Sequence, residues 1–496
     1  MGSSRRVFLA VPPLLLALAI AVGVASASTF TSGPLVQVSG ASPFAGCTAD
    51  AVGTQSGTVF VGSEVEPWFD VNPTNTANLV GIWQQDRWSN GGSRGLVAGV
   101  SMNGGSSWTS VPIPGVTLCA GGPYQRATDP WVSFGSNGRV HQLALAFNDA
   151  NFDHGLFASF SSNGGLTWSA PRLVIRDLAP TVFNDKQSIT ADPGNLNVYA
   201  VWDRLVFPSE RASIDAAIHT AAFRGPVWFN RSTNAGDTWE QPRSIYDPGQ
   251  NDQTIGNQIV VLPNGALVDI FTEFDNENAK KLRGGTVRII RSADKGSTWS
   301  APILIDRELP LGVFDPETGE DVRTGAIIPD IAVAPSGALY AVWEDARFSG
   351  FVHEDVAFSQ SLDGGLHWST PIRVNLTPPI AAPGNRQAFT PSVDVSSDGT
   401  VAVTYYDFRN NTPDPTTLPT DYFVIHCHAS CASPASWTNE VRLTNVSFDM
   451  RRAPNAGGFF TGDYEGLASS GTTFLPFWSA SHGTDPASTF FRRVGP

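Results

Sequence analysis

The sequence predicts an all-β protein built from repeated, radially arranged units of four short antiparallel strands. Three observations predict it. One octet ending in tryptophan recurs along the 496 residues. Each copy follows a segment that alternates apolar and polar residues around a central turn. The chain also carries 48 glycines and 36 prolines, a density that disfavours long helices and suits many short strands joined by turns.

The octets are SMNGGSSW, SSNGGLTW, STNAGDTW, SADKGSTW and SLDGGLHW, ending at Trp108, Trp168, Trp239, Trp299 and Trp368. Successive tryptophans lie 60, 71, 60 and 69 residues apart, so the repeating unit is much longer than the octet. Serine stands first, Asn or Asp third and Gly fifth. The Asx side chain suits acceptance of backbone N–H groups further along a turn, and Gly supplies a positive φ. The indole then packs back on the sheet. None of these roles needs a substrate, so the octet reads as structural. A sixth copy, SCASPASW from Ser430 to Trp437, keeps the Ser and the Trp but lacks the Asx and the Gly. Cys427 and Cys431 flank its start, and a local disulfide there would replace the missing turn bonds.

Before each octet runs a hairpin, as in IVVLPNGALVDIFTEFD, IAVAPSGALYAVWEDAR and VDVSSDGTVAVTYYDFR. A third strand leads into the octet and a fourth follows the proline after it. Four antiparallel strands repeated radially make a propeller blade. A seventh hairpin, EGLASSGTTFLPFWSA, is followed by STFFRRV but by no octet. The segment Ser32–Ser39 then supplies the missing strand and removes both open edges. The prediction is a seven-bladed β-propeller spanning residues 28–496, with six blades as the alternative.

The N-terminus reads as an export signal. Arg5 and Arg6 precede an apolar run from Val7 to Val24, and Ala25-Ser26-Ala27 forms a small-residue cleavage site. An uncleaved anchor is the alternative, and SRRVFLA is similar to a twin-arginine signal. After cleavage the protein is expected outside the cell with no stable membrane insertion. Removing residues 1–27 takes away two arginines and no acid, so the formal net charge moves from −14 to −16. Such a chain repels phosphate backbones, which excludes nucleic acid as a partner class. In an oxidising compartment the four cysteines suggest two disulfides, Cys427–Cys431 by proximity and Cys47–Cys119 as the remaining pair. HCHASC, from His426 to Cys431, has a second reading as a metal site. Otherwise nothing in the sequence calls for a metal or a cofactor.

The octets resemble the Asp-box, or bacterial neuraminidase repeat, of the sialidase superfamily, over residues from about 55 to 496. The resemblance implies that the Asp-boxes lie on one face and a glycan-binding site on the other. That site would be built from loops entering each first strand and leaving each second strand. Entering loops carry Glu66, Asp129, Asp185, Lys186, Arg323, Arg386, Asp463 and Tyr464. Leaving loops carry Asp86 with Arg87, Glu273, and the recurring pairs Asp203/Arg204, Asp345/Arg347 and Asp407/Arg409. The recurring pairs have two readings, a charged ring for a sugar and bridges between neighbouring blades.

GDYEGLA, from Gly462 to Ala468, resembles the place where sialidases carry their nucleophilic tyrosine. This implies Tyr464 as nucleophile, with Glu273 as the base that takes its proton and Asp463 beside it. Packing between blades is the alternative role for Tyr464. Arg323 and Arg386 match two of the family's three carboxylate-clamping arginines, and Lys186, Asp185, Asp129 and Glu66 complete a substrate-binding set. Two departures alter the expectation. The family's first-blade Arg-Ile-Pro is VEPWF here, with Glu66 ahead of Pro67. WSNGGSRG, from Trp88 to Gly95, also lacks the acid/base aspartate. The implied function is a sialidase-like glycoside hydrolase with an altered substrate; the rival is a non-catalytic extracellular propeller that binds glycans or proteins. A short helix over Ser209–Arg224 and the loop Arg409–Asp421 have two readings, a wall or lid over the cavity and idle surface excursions.

Overall fold

The structure, a computed structural model, describes residue 2 and residues 29–51, 57–149, 151–207, 224–275 and 285–496. The export signal lies outside the described residues except for Gly2, and the helix over Ser209–Arg224 except for Arg224. The described chain is nearly all β, with no α-helix and a few 3-10 turns. No helix among the described residues is long and apolar enough to cross a membrane.

Period-2 sequences pair with their sequence neighbours, as hairpin geometry favours. Val182–Ala191, Val198–Val206, Val227–Ser232 and Arg243–Tyr246 form one antiparallel sheet. Asp252–Val261, Leu267–Asp275, Gly285–Ser292 and Ile303–Glu308 form the next. Two further four-strand runs begin at Asp330–Val333 and Ala388–Val395, and two earlier ones at Val59–Val71 and Arg126–Phe134. In the last group, Thr473–His482 lies between Gly466–Ser470 and Asp485–Phe491. Val36–Gln37, from the other end of the chain, pairs antiparallel with Asp485–Phe491.

The first strands contact one another in a cycle. Val59–Val71 touches Arg126–Phe134, and the series continues through Val182–Ala191, Asp252–Val261, Asp330–Val333, Ala388–Val395 and Gly466–Ser470 back to Val59–Val71. Apolar side chains fill the spaces between successive sheets, as with Val80, Ile82 and Ala98 against Val132, Val140 and Ala144. Large aromatics such as Trp83, Trp202, Trp343 and Trp478 are fully buried, and that removal of apolar surface from water is the main stabilising term.

The octets form one repeated turn. In SSNGGLTW the Ser161 hydroxyl donates to Asn163 Oδ1 (2.8 Å) and accepts from the Gly165 N–H (2.9 Å), while Asn163 Oδ1 accepts from the Thr167 N–H (2.9 Å). The same bonds recur from Ser101, Ser232, Ser292 and Ser361. The glycine is required twice over. Gly165 has φ +98°, and a Cβ there would lie 2.9 Å from Val80 and Val100 of the preceding sheet. Each octet therefore tucks under its neighbour. In the degenerate copy Cys427 and Cys431 are disulfide-bonded, and the Trp437 indole donates to the Cys431 carbonyl (2.8 Å). The metal reading of HCHASC is corrected here: both sulfurs are in the disulfide, and His426 stacks on Phe30 with centroids 3.5 Å apart. Cys47 pairs with Cys119.

Two of the recurring arginines reach the preceding sheet, whereas Arg409 bonds Asp407 (2.7 Å) and Glu440 (3.1 Å) of its own sheet. Arg204 bonds Asp177 of the preceding sheet through two nitrogens, each at 2.7 Å, and Arg347 joins Asp345 to Asp306 of the preceding sheet. Asp203 does not pair with Arg204; it accepts the Gly256 N–H at 3.0 Å. The loop Arg409–Asp421 is held down at Asn411, which donates to Glu317 (2.9 Å) and Asn385 (3.1 Å).

Candidate active site

One backbone device builds the site. In five first strands the register slips at the same step, between Val65/Trp68, Thr128/Trp131, Asp185/Ser188, Ile255/Gln258 and Phe389/Ser392. At each slip one residue adopts a left-handed conformation: Glu66 (φ +52°), Asp129 (+50°), Lys186 (+44°), Gly256 (+74°) and Thr390 (+47°). Non-glycine residues pay roughly 1–2 kcal/mol for this geometry, and such bulges serve to re-aim a side chain. Here Glu66, Asp129 and Lys186 all reach one axial cavity of about 290 Å³. The cavity lies at the end of the strands opposite the octets: Ser101, where an octet begins, pairs with Leu79, whereas cavity-lining Arg87 pairs with Ser93 at the other end.

Lys186 is the hub. Its Nζ lies 3.1 Å from Glu66 Oε1, 2.7 Å from Asp129 Oδ1 and 2.5 Å from Asp463 Oδ2. Arg323 grips Asp463 through Nε (3.1 Å) and Nη2 (2.7 Å) and donates Nη1 to the Ala456 carbonyl (3.1 Å). A small extra sheet puts it there: Asp321–Arg323 pairs parallel with Phe459–Phe460, only a few residues before Asp463. Gly325 permits the close approach, since a Cβ there would lie 1.7 Å from the Asp463 carbonyl oxygen. Asp185, half-buried, also lines the cavity and makes no ion pair among the described residues.

Burial and mutual charge spread the protonation behaviour of these groups. Burial, reinforced by Asp129, pushes the Glu66 carboxyl up to about 8 and that of Asp185 up to about 7. Burial opposes the charged forms of Lys186 and Asp463 too, but their partners outweigh it. Asp129 and Asp463 hold the ammonium of Lys186 well above its ordinary value, while Arg323 and Lys186 hold Asp463 well below the usual carboxylate range. The site therefore places a near-neutral carboxyl and a firmly ionised carboxylate in one cavity.

Tyr464 lies beneath this cluster. Its hydroxyl donates to the Pro130 carbonyl at 3.3 Å, and its ring meets Trp131 at 5.2 Å and Trp68 at 6.0 Å. Trp68 and Trp131 stack at 3.4 Å. The three rings form an aromatic floor, 8% of Tyr464 is exposed, and burial raises its phenol well above its ordinary value. Glu273 is not brought to Tyr464; it accepts from the Tyr246 hydroxyl (2.6 Å) and pairs with Arg288 (3.3 Å). Arg386 does not line the cavity; it donates to the Ala381 and Pro379 carbonyls of its own loop.

Arg87 is the residue whose role the sequence concealed. Only 3% exposed, it lines the cavity, donates Nη1 to the Gly92 carbonyl (2.9 Å), and lies over Phe460 at 5.2 Å, with Arg323 on the same ring at 4.4 Å. Burial, with repulsion from Arg323, lowers it to about 10. The dipeptides Glu66-Pro67 and Asp129-Pro130, each followed by a tryptophan, were the available signal for the bulges.

No family model and no curated protein matches the chain. Among solved structures it is similar to the Hadza microbial sialidase Hz136, at 14% identity, covering 84% of this chain and 73% of that one, with a TM-score of 0.47. It is also similar to a K499G mutant of NanB sialidase from Streptococcus pneumoniae, at 11% identity over 93% and 98% of the two chains, TM-score 0.44. A third similar structure is the alpha-L-arabinofuranosidase Arb93A from Fusarium graminearum, at 10% identity over 89% and 98%, TM-score 0.43.

Proposed function

We propose that this chain is a secreted glycoside hydrolase on a seven-bladed β-propeller, acting on exposed glycans, with its centre in the axial cavity around Lys186. The observation that carries the reading is the convergence there of Glu66, Asp129 and Asp463 on one ammonium, with Asp185, near neutral, lining the same cavity and Asp463 held ionised. Glycosidic cleavage needs a carboxyl group that stays protonated near neutral pH and a negative charge that meets the oxocarbenium-like transition state. Asp185 is half-open to the cavity and serves as the proton donor to the leaving oxygen. Asp463 supplies the fixed negative charge, oriented by Arg323 and Lys186. Tyr464 supports this cluster from below, because its hydroxyl is turned to Pro130.

The seven four-stranded groups and the cycle of first strands support the propeller. The leader at residues 1–27 supports export, and a mature N-terminus at Ser28 would be read by sequencing the secreted protein. Hydrolysis of a broad panel of fluorogenic glycosides, lost in Asp185→Asn, tests the activity. A folded protein that turns over no member of the panel overturns it and favours the binding-only propeller.

A further inference from the structure

Resting on the glycosidase reading, we infer that the glycosyl residue bound in this cavity is uncharged. The cations that would hold an acidic sugar are already committed. Lys186 contacts three carboxyl groups, and the fork of Arg323 is closed on Asp463. A sugar carboxylate would have to displace Asp463 from Arg323, leaving a buried carboxylate with Lys186 alone, and breaking a buried pair in this way is strongly unfavourable. Arg386, a third candidate clamp, is spent on its own loop.

Arg87 makes no ion pair among the described residues, and its Nε has no hydrogen-bond partner. It faces a cavity that holds four carboxyl groups against three cations. A single guanidinium with a free Nε–H and its Nη1 already on the Gly92 carbonyl suits a sugar hydroxyl or ring oxygen, which accepts one hydrogen bond and brings no charge near the ionised Asp463. The carboxyl groups in turn accept from sugar hydroxyls. Phe147, Phe183, Ile255, Ile327 and Ile328, which also line the cavity, offer apolar surface for the C–H face of the ring.

The test uses the purified mature chain and two sets of fluorogenic glycosides, uncharged (pentosides, hexosides, deoxyhexosides) and anionic (sialosides, uronides). The expected result is turnover of at least one uncharged member, with kcat/KM at least about 100-fold above any anionic one, the scale of one buried charge mismatch. Preference for an anionic member overturns the inference and leaves the hydrolase reading intact. Absence of turnover on both sets overturns the hydrolase reading, and retention on a glycan array then decides the ligand. Uncharged glycans retained support the inference; anionic glycans retained, or none, overturn it. Asp463→Asn, which frees Arg323, is expected to raise affinity for free glucuronate by about tenfold, one charge-assisted contact. Asp129→Asn keeps the Arg323–Asp463 pair and is expected to gain less. Glucuronate affinity unchanged in Asp463→Asn, or raised equally in both variants, overturns the inference.

Discussion

Arg323 and Asp463, 140 residues apart in sequence, meet through two parallel hydrogen bonds of 3.1 and 2.7 Å and hold the acidic cluster to the small sheet above the cavity. Lys186 closes the arrangement from a third element. Removing the ammonium leaves three buried carboxyl groups facing one another. Lys186→Met is therefore expected to destabilise the fold by about 3–5 kcal/mol, and the double variant Lys186→Met/Asp463→Asn by less. Chemical denaturation of the three proteins measures both effects.

Tyr464 and Asp185 offer opposite outcomes. With its hydroxyl on the Pro130 carbonyl, Tyr464→Phe is expected to keep kcat within about threefold, since the lost bond is a neutral one outside the cavity. Asp185→Asn is expected to lower kcat by about 10²–10⁴, the usual contribution of a general acid. Parallel steady-state kinetics on the preferred glycoside compares them.

Stability depends on pH through the raised carboxyl groups. Glu66 rises from 4.5 to about 8, Glu344 from 4.5 to about 8 and Asp185 from 3.8 to about 7, in each case chiefly by burial. The folded state binds more protons than the unfolded one across this window, so these contributions are present in full below the unfolded values and are lost as pH rises through the folded ones. Asp463 runs the other way and loses its contribution only as pH falls below 3.8. Thermal unfolding is expected at a lower temperature at pH 8.5 than at pH 5.5, and Glu344→Gln is expected to flatten that slope.

Ser161 anchors its octet by accepting from Gly165 and donating to Asn163. Ser161→Ala leaves a buried N–H unpaired and is expected to cost about 1–3 kcal/mol. Because the octets lie at the end of the strands away from the cavity, kcat/KM is expected to stay unchanged. Denaturation midpoints and a glycoside assay on the same preparation check the separation.

The two disulfides differ in the chain they close. Cys47–Cys119 spans 72 residues and Cys427–Cys431 spans 4. Loop-closure entropy grows with span, so Cys47→Ser/Cys119→Ser is expected to cost about 2–5 kcal/mol and Cys427→Ser/Cys431→Ser less. Urea unfolding of each double variant reads the difference.

The sequence by itself determined the all-β character, the hairpins, the octet turns and the Cys427–Cys431 pairing. Each of these depends on short-range rules: period-2 alternation, Asx and Gly chemistry in a turn, or nearness along the chain. It also named Glu66, Asp129, Asp185, Lys186, Arg323 and Asp463, which the tertiary structure brings into one cavity. Only the tertiary structure decided what surrounds each of them. The hydroxyl of Tyr464 turns to Pro130, Glu273 turns to Tyr246 and Arg288, Arg386 folds onto its own loop, and Arg87 enters beside Arg323. Those outcomes follow from which strand ends face the axis and which way a left-handed bulge throws a side chain. Apart from Arg386, whose partners Ala381 and Pro379 lie in its own loop, such directions are fixed by contacts between residues tens to hundreds of positions apart, and no local pattern encodes them.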